Sequence, residues 1–264
     1  MSTIRDWLLH SPLPKLEARM LLQCVGGFSR AYLVAHDDEV LPDMMVWQLN
    51  DMQQARVDGV PMAYLLGERE FYGRVFQVTP AVLIPRPETE LLVETVMQYL
   101  PQGGRVWDVG TGSGIIAITT ALERSDAQVH ASDISAEALD IARNNKGRLG
   151  AQVAFHLGSW YAVMPAQNEL VDVLVSNPPY IHKDDGHLQQ GDLCFEPQQA
   201  LTDFDDGLSA YRALAADCAQ HVKPQGWLMV EHGFEQAADI QAIFQAAGLQ
   251  QVHTLQDHAG LDRI

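Results

Sequence analysis

The chain has 264 residues, of which 47% are hydrophobic, and its 34 acidic and 17 basic side chains give a formal net charge of −17. So large an acidic excess argues against a surface that neutralises the phosphates of a nucleic acid over a wide area. The apolar content can supply the cores of two domains, and no apolar run approaches the length of a membrane span.

Cysteine usage and the N-terminus indicate the compartment. Cys24, Cys194 and Cys218 are far apart, odd in number and without a C-x-x-C pair, which disfavours a disulfide framework and a structural zinc site. The first ten residues carry neither a long apolar core nor a small-residue cleavage site. We therefore expect a cytoplasmic protein that holds no metal and does not enter the membrane.

The chain changes character near residue 70. Residues 1–70 carry apolar side chains at helical spacing, interrupted by prolines and by Gly26-Gly27, which predicts a small bundle of short helices. The following residues alternate around Gly73 and predict a β-hairpin, so we assign residues 71–85 to a hairpin and hinge. Residues 86–264 are expected to form a larger catalytic domain.

A glycine-rich turn follows the first predicted strand of this domain. Residues 105–114 read RVWDVGTGSG, and residues 115–122 predict the helix that begins after the turn. Glycines in such a turn let the backbone approach a nucleotide closely beside a helix N-terminus. The predicted cofactor loop consists of Gly110, Thr111, Gly112, Ser113 and Gly114. Ile115 stands where the dinucleotide pattern G-x-G-x-x-G needs its last glycine, which disfavours a dinucleotide.

Acidic and aromatic residues follow the next two predicted strands. Asp133 ends the strand of residues 128–132, 23 residues after Gly110, where a carboxylate can accept both ribose hydroxyls of a cofactor. The alternative is that Asp108 and Asp133 only cap loops at strand ends. Trp160 follows the strand of residues 152–157 and either stacks on an adenine or fills space under a loop.

The sequence Asn177-Pro178-Pro179-Tyr180 comes after a strongly apolar strand, residues 170–176. The Asn177 side chain offers a carbonyl oxygen to an NH2 group, and the two prolines remove backbone donors, so that the carbonyls of Asn177 and Pro178 serve as acceptors. Tyr180 adds an aromatic face that favours positive charge developing on a nitrogen. The four residues therefore predict a site for a planar NH2 group, and the alternative is a Pro-Pro turn that closes a strand.

The remaining residues predict a long loop and the rest of an α/β sheet. Residues 182–206 show little periodicity and are expected to form a lid, in which Glu196 either contacts the substrate backbone or caps a turn. Helices are predicted at residues 208–221 and 236–247, and strands at residues 227–231 and 251–256.

In this order and spacing, these motifs resemble the class I S-adenosylmethionine-dependent methyltransferases, specifically the bacterial family that modifies a glutamine of peptide-chain release factors. The resemblance covers nearly the whole chain and extends to uncommon strings: LIPRPETE at residues 83–90, HLQQGD at 187–192, FEP at 195–197 and EHG at 231–233. It implies an α/β fold with a doubly wound, mostly parallel Rossmann-like sheet, preceded by a small helical bundle and a β-hairpin linker.

The same resemblance implies roles for individual residues. The cofactor would be S-adenosyl-L-methionine, with Asp133 on its ribose, Trp160 near its adenine and Asn177 beside its methionine portion. The implied cofactor contacts are Gly110, Thr111, Gly112, Ser113, Gly114, Asp133, Trp160 and Asn177. The implied substrate contacts are Asn177, Pro178, Pro179 and Tyr180, of which Asn177, Pro178 and Tyr180 would be catalytic. The N-terminal bundle would grip the release factor, and the alternative is a stabilising cap without a partner.

Two other functions stay open at this point. The Asn-Pro-Pro-Tyr motif is shared with enzymes that methylate the exocyclic amino group of adenine, although the net charge disfavours a nucleic-acid substrate. The basic residues Arg143, Lys146 and Arg148 cluster on one predicted helix, a pattern that is also typical of a solvated face. A nicotinamide-dependent oxidoreductase or a nonenzymatic nucleotide binder is disfavoured by Ile115 and by the Asn-Pro-Pro-Tyr motif.

The chain departs from the resembled family at its end. Those enzymes usually continue into one more, antiparallel strand, whereas this sequence stops at Ile264. We expect the sheet to have a less protected edge there. The predicted active-site motifs lie at the other end of the strand order, so they should not be affected.

Overall fold

A computed structural model describes residues 2–164 and 170–264, and the expected catalytic domain therefore includes five residues that lie outside the description. The chain forms two compact units, Met1–Gly67 and Glu68–Ile264. Among the described residues, no helix combines the length and the apolar character that a bilayer crossing requires.

Five short helices make up the first unit, in agreement with the helical spacing of its apolar residues. They are α1 Ile4–His10, α2 Lys15–Gly26, α3 Arg30–Ala35, α4 Asp43–Val57 and α5 Met62–Leu66. A capping box starts α1, because Thr3 Oγ1 accepts from the Asp6 amide at 3.1 Å and the Thr3 amide donates to the Asp6 carboxylate at 3.3 Å. Trp7, Leu22 and Leu49 are buried together in the core of this unit.

The predicted β-hairpin is confirmed and opens the second unit. Strand β1, Glu68–Phe71, pairs antiparallel with β2, Arg74–Gln77. The two turn residues, Tyr72 and Gly73, have φ of 52° and 69°, which matches the right-handed twist of a two-residue hairpin. The Tyr72 amide donates to Glu90 Oε1 at 2.9 Å, so the turn is held against the helix that follows.

A five-stranded parallel sheet forms the centre of the second unit, as the resemblance implied. Its strands are β3 Arg105–Val109, β4 Gln128–Asp133, β5 Val153–Leu157, β6 Val171–Ser176 and β7 Val222–Val230. Their order in the sheet is β5-β4-β3-β6-β7, and every neighbouring pair is parallel. The order reverses between β3 and β6, and a doubly wound sheet binds its ligands at the carboxyl ends of the strands at this position.

Helices cover both faces of the sheet. They are α6 Thr89–Tyr99, α7 Ile115–Glu123, α8 Ala136–Leu149, α9 Gln198–Leu201, α10 Ser209–Ala216, α11 Cys218–His221 and α12 Ala237–Ala246. Successive residues of a strand point to opposite faces, so Val106 packs with Leu92 of α6 and Ile118 of α7, whereas Trp107 packs with Tyr211 of α10 on the other face. Two separate hydrophobic cores therefore fix the sheet between the helices.

Two predictions for the C-terminal half are wrong in detail, and the long loop contains short helical turns. Residues 182–206 contain two 3₁₀ turns, Gly186–Gln189 and Gly191–Phe195, and the short helix α9, with Asp185 capping the first turn and Pro197 preceding α9. Elements of four or five residues are too short to show a periodic apolar pattern. The helix predicted at 208–221 is interrupted at Asp217 and forms α10 and α11.

The strand predicted at residues 251–256 is absent from the described structure. Gln251 has a φ of 55°, in the left-handed region outside the regular strand conformation, and the chain after it turns back on itself. The Leu255 amide donates to the Ile264 carbonyl at 2.7 Å, and the Asp257 amide donates to the Leu261 carbonyl at 2.8 Å. Local turn contacts therefore replace a regular sheet ladder in this segment.

Asn145 connects three parts of the second unit. Its buried side chain accepts from the Gln77 amide at 2.7 Å, and its Nδ2 donates to the carbonyls of Gln77 at 3.0 Å and Ser113 at 2.9 Å. The side-chain carboxamide of Asn145 in α8 thus provides hydrogen-bond partners for backbone groups at the edge of the hairpin and in the glycine-rich turn. Its removal would leave three backbone groups without a partner.

We expect Asn145→Ala to lower the free energy of unfolding by about 1–3 kcal/mol, because buried backbone groups lose their hydrogen bonds. Urea denaturation followed by circular dichroism measures the loss. Asn144→Ala is the matched control, since Asn144 is the neighbouring, exposed residue of the same helix. Equal midpoints for the two variants would contradict this role of Asn145.

Candidate active site

The two predicted motifs meet at one cavity where the order of the sheet strands reverses. The cavity is lined by Gly110, Thr111, Gly112, Ser113, Asp133, Trp160, Asn177, Pro178 and Pro179. Its wall also includes residues that the sequence did not single out for contact with a ligand: Arg86, Thr89, Ile134, Ser135, Gln199 and Ala200. Parallel pairing of β3 with β6 causes this meeting, because both strands release their loops at the same edge.

Gly114 and Tyr180 lie in the layer that supports this wall. Gly114 precedes α7 with a φ of 87°, and a Cβ there would come within 2.7 Å of the Ile118 side chain. Tyr180 is partly buried and packs against the second hydrophobic core, which is the one that contains Trp107 and Tyr211. Its carbonyl accepts from Gln236 Nε2 at 2.9 Å, which holds the end of the Asn-Pro-Pro-Tyr segment in place.

The glycine-rich turn is built for close approach of a ligand. Gly110 and Gly112 have φ of 75° and 56°, in the region that favours glycine, and a Cβ built on either would meet no other atom within 4 Å. The amides of Gly110 and Thr111 both donate to the Ser132 carbonyl, at 2.8 Å and 3.0 Å. The end of β4 therefore holds the turn in shape and leaves its outer side open.

Asp133 and Asp108 organise this turn from two sides. Asp133 accepts from the amides of Gly112 and Ser135, one on each carboxylate oxygen and both at 2.9 Å, and burial raises its pKa. Asp108 Oδ2 accepts from Thr111 Oγ1 at 2.6 Å and from the Ala117 amide at 3.3 Å. The capping role considered for the two acids is therefore present in the structure.

Asp108 is more than a cap. Its Oδ1 atom is buried and has no hydrogen-bond partner. Complete burial raises the pKa of this carboxyl to about 7, against the smaller opposing effects of the Thr111 and Ala117 hydrogen bonds. An unpartnered acceptor beneath a glycine-rich turn produces a negative electrostatic potential, which would favour the binding of a cationic ligand.

Trp160 lines the cavity in a strained backbone conformation. Its φ is 44°, a value that few residues other than glycine adopt. The ring also packs, partly buried, against the second hydrophobic core. The packing role considered for this residue is therefore present, and its contact with an adenine stays a prediction.

Asn177 is held by residues from two distant segments. Its Nδ2 donates to Thr89 Oγ1 at 3.3 Å, and Thr89 Oγ1 donates to Glu231 Oε2 at 2.7 Å. Because the NH2 end of the carboxamide is used in this way, its oxygen is the end that can accept from a ligand. At the end of β6, Ser176 Oγ donates to the Val109 carbonyl at 2.7 Å and holds the two motif-bearing strands together.

Sequence reasoning missed the role of Thr89 and Glu231. Both side chains are buried polar groups, and both lie within strings that were noted only for their resemblance. Glu231 follows an apolar strand directly, so the rule that drew attention to Asp133 applies to it as well.

Glu196 occupies neither of the positions considered for it. Its fully buried carboxylate accepts from the Ile84 amide at 2.9 Å and from the guanidinium of Arg86, which itself lines the cavity. Burial raises the pKa of Glu196, and the nearby charge of Arg86 opposes that shift. The ion pair joins the 182–206 segment to the segment that leads into α6.

Among the residues described, no three histidine, cysteine or acidic side chains form a group that could hold a metal ion. The arrangement offers acceptors, acids and an aromatic ring, which suit a ligand with positive charge and a substrate with an NH2 group.

Comparison with known proteins adds independent information. Residues 87–196 match the methyltransferase small domain, and residues 6–67 match the PrmC N-terminal domain. The release factor glutamine methyltransferase of Neisseria gonorrhoeae is 53% identical over 99% of this chain and 96% of its own. That of Bordetella pertussis is 48% identical over 100% and 98%.

A solved structure shows the same fold. A methyltransferase from Pyrococcus furiosus superposes with a TM-score of 0.57 at 16% identity, over 81% of this chain and 95% of its own. At that level of identity the likeness concerns the fold and not the substrate.

We expect the stability of the unliganded protein to fall as pH rises from about 4 to about 7, in part because of Asp108. The folded state keeps the Asp108 proton up to about pH 7, whereas the unfolded chain releases it near its ordinary pKa of 3.8, so the contribution is complete below pH 4 and is lost as pH rises through 7. In Asp108→Asn this dependence should weaken by up to about 1.4 kcal/mol per pH unit within the window. Urea midpoints at a series of pH values measure it, and parallel pH profiles for the two proteins would contradict the assignment.

Proposed function

Because the chain belongs to the family of release factor glutamine methyltransferases, we propose that it transfers a methyl group from S-adenosylmethionine to the side-chain amide nitrogen, N5, of a glutamine in a peptide-chain release factor. The observation that carries the proposal is the meeting of the glycine-rich turn and the Asn-Pro-Pro-Tyr segment in one cavity. A methyl donor and an NH2 acceptor need such adjacent sites.

The residues around the turn fit S-adenosylmethionine. Gly110 and Gly112 leave the outer side of the turn open to a nucleoside, and Asp133 keeps acceptor capacity for ribose hydroxyls beyond its two backbone partners. Trp160 offers a ring to the adenine, and the buried Asp108 carboxyl supplies negative potential beneath the turn. When bound, this cofactor supplies an electrophilic methyl group on a positively charged sulfur.

The substrate amide needs orientation and charge stabilisation. A carboxamide nitrogen is a weak nucleophile because its lone pair is delocalised into the carbonyl. We infer that the Asn177 side-chain oxygen and the Pro178 carbonyl accept its two hydrogens, which directs the nitrogen and stabilises positive charge as it develops. Pro178 and Pro179 carry no N–H that would compete for these acceptors.

Tyr180 serves this site as a neutral aromatic group. Burial, reinforced by the negative charge of Glu231, raises the pKa of its hydroxyl to about 12. A tyrosine with that pKa stays protonated and does not act as a general base near neutral pH. No strong base is required, because the proton can leave after the methyl group has been transferred.

The alternative substrate, an exocyclic amino group of a nucleic-acid base, receives less support. Of the basic cluster on α8, Arg143 pairs with Asp140 at 3.0 Å and Arg148 lies 4.0 Å from Glu68, so both guanidinium groups have acidic neighbours. The net charge of −17 adds a general repulsion of polyanions. We therefore expect no direct binding of nucleic acid.

The proposal predicts methylation of one glutamine when the protein is incubated with S-adenosylmethionine and a purified release factor. Mass spectrometry of the digested factor identifies the modified residue, and an adenine-containing duplex is tested in parallel. Asn177→Ala should lower single-turnover methylation on the order of 10²–10³-fold, because one acceptor of the developing charge is lost. Asn144→Ala, an exposed change on α8, serves as the control. Methylated duplex with an unmodified factor, or near-normal turnover of Asn177→Ala, would overturn the assignment.

For the N-terminal unit we propose that it grips the release factor. Met44 and Trp47 are three residues apart on α4, so they share a face, and they are 70% and 63% exposed. Exposed aromatic and methionine side chains are typical of protein contact surfaces.

We expect the double change Met44→Ala and Trp47→Ala to raise the Michaelis constant for a whole release factor by roughly tenfold, since buried aromatic anchors contribute most of an interface's energy. The constant for a short peptide that contains the target glutamine should stay within about twofold. Leu16→Ala provides the control, as Leu16 is 64% exposed on α2. Equal effects on both substrates would indicate that the unit is only a stabilising cap.

A further inference from the structure

A chain of hydrogen bonds leads away from the NH2-binding segment into the buried part of the second unit. Asn177 Nδ2 donates to Thr89 Oγ1, and the Thr89 hydroxyl donates to Glu231 Oε2. The three residues come from the position after β6, the start of α6 and the position after β7. Thr89 has no exposed surface and Glu231 is 1% exposed, so water does not compete for these contacts.

The Glu231 carboxylate ends this series of hydrogen bonds and fixes which group donates in each of them. An ionised carboxylate only accepts, so the Thr89 hydroxyl must donate to Glu231 and must accept from Asn177. An asparagine side chain can be turned over with almost no change in shape, which exchanges its oxygen and its NH2 group. With the direction of the chain set by Glu231, only one of the two orientations keeps all the hydrogen bonds.

The backbone of Glu231 is itself held firmly. Its amide donates to the Ser176 carbonyl at 3.0 Å, which continues the pairing of β7 with β6 up to the residue before Asn177. Its carbonyl accepts from the buried Tyr211 hydroxyl at 2.8 Å. Glu231 is therefore a fixed reference point for the side chain that contacts the substrate.

We propose that Thr89 and Glu231 are positioning residues, which orient the Asn177 carboxamide so that its oxygen, and not its NH2 group, faces the nitrogen to be methylated. This inference rests on the proposed function, because it specifies how the same site selects an NH2 group. The reversed orientation would present a donor to a donor, and the substrate amide would lose one acceptor and its alignment.

The orienting carboxylate also has a defined sensitivity to pH. Burial raises the pKa of Glu231 to about 7, while the Thr89 hydroxyl, Arg263 and Asn177 favour its ionised form and Glu88 opposes it. The hydroxyls of Tyr180 and Tyr211 are the other titratable groups in its field, and both have raised pKa values, so they stay neutral near pH 7. Below about pH 7 a protonated Glu231 can donate, and the direction of the chain is no longer imposed.

Two substitutions at Thr89 separate orientation from packing. Thr89→Ser keeps the hydroxyl and loses only a methyl group, whereas Thr89→Val keeps the shape and loses the hydroxyl. We expect Thr89→Ser to retain kcat within about threefold and Thr89→Val to lose kcat on the order of 10²-fold, with little change in the Michaelis constant for the cofactor, because misalignment of a reacting group has costs of this size. Melting temperatures of both variants verify that they fold.

Glu231→Gln tests the carboxylate itself through the pH profile of kcat/KM on a peptide that contains the target glutamine. In the wild type we expect an acidic limb near pH 7, and in Glu231→Gln a lower rate without that limb, since glutamine does not titrate. The inference would be overturned by full activity of Thr89→Val, by equal losses in the two Thr89 variants, or by an unchanged acidic limb in Glu231→Gln. In each of these cases methylation by the wild type would still support the proposed function. If the wild type methylates no release factor glutamine, the proposed function fails and the inference fails with it.

Discussion

The parallel pairing of β3 with β6 is the contact on which the site depends. These strands are neighbours in the sheet although 61 residues lie between the end of β3 and the start of β6, and the Ser176 hydroxyl donates to the Val109 carbonyl. At this point the order of the sheet reverses, so the loops after the two strands turn to opposite faces and leave a crevice between them. The glycine-rich turn and the Asn-Pro-Pro-Tyr segment occupy its two sides.

Burial of acidic groups is the second organising feature, and it has a cost in stability. Asp108 and Glu231 are both almost completely buried at the carboxyl ends of strands, and removal from water raises the pKa of each to about 7. Neither forms an ion pair with a lysine in the structure as described; hydroxyl and amide donors hold them instead. Carboxyl groups held by neutral donors in this way can still offer negative potential to a cationic ligand, which a neutralising salt bridge would remove.

Much of the candidate site could be predicted because its signals are local. Gly110 and Gly112 are needed for positive φ, Asp133 ends the next strand, and Asn177 precedes two prolines; the longest of these patterns, from Gly110 to Asp133, spans 23 residues. Secondary structure was harder where the pattern was ambiguous. Gln251 adopts a left-handed conformation that no periodicity reveals, and Asp217 interrupts a segment whose apolar spacing suits one continuous helix.

By itself, the sequence determined the class of the fold and located the two motifs of the candidate site, the glycine-rich turn and the Asn-Pro-Pro-Tyr segment, since strand periodicity, glycine conformation and missing proline donors are properties of neighbouring residues. Only the tertiary structure decided which distant buried residues form hydrogen bonds around these motifs. The hydrogen bond from Thr89 to Glu231 joins residues 142 positions apart, and the partners of Glu196 lie more than 100 positions away. Such contacts depend on which strands and helices pack together, and the free energy of that packing is spread over two cores and cannot be read from any one segment.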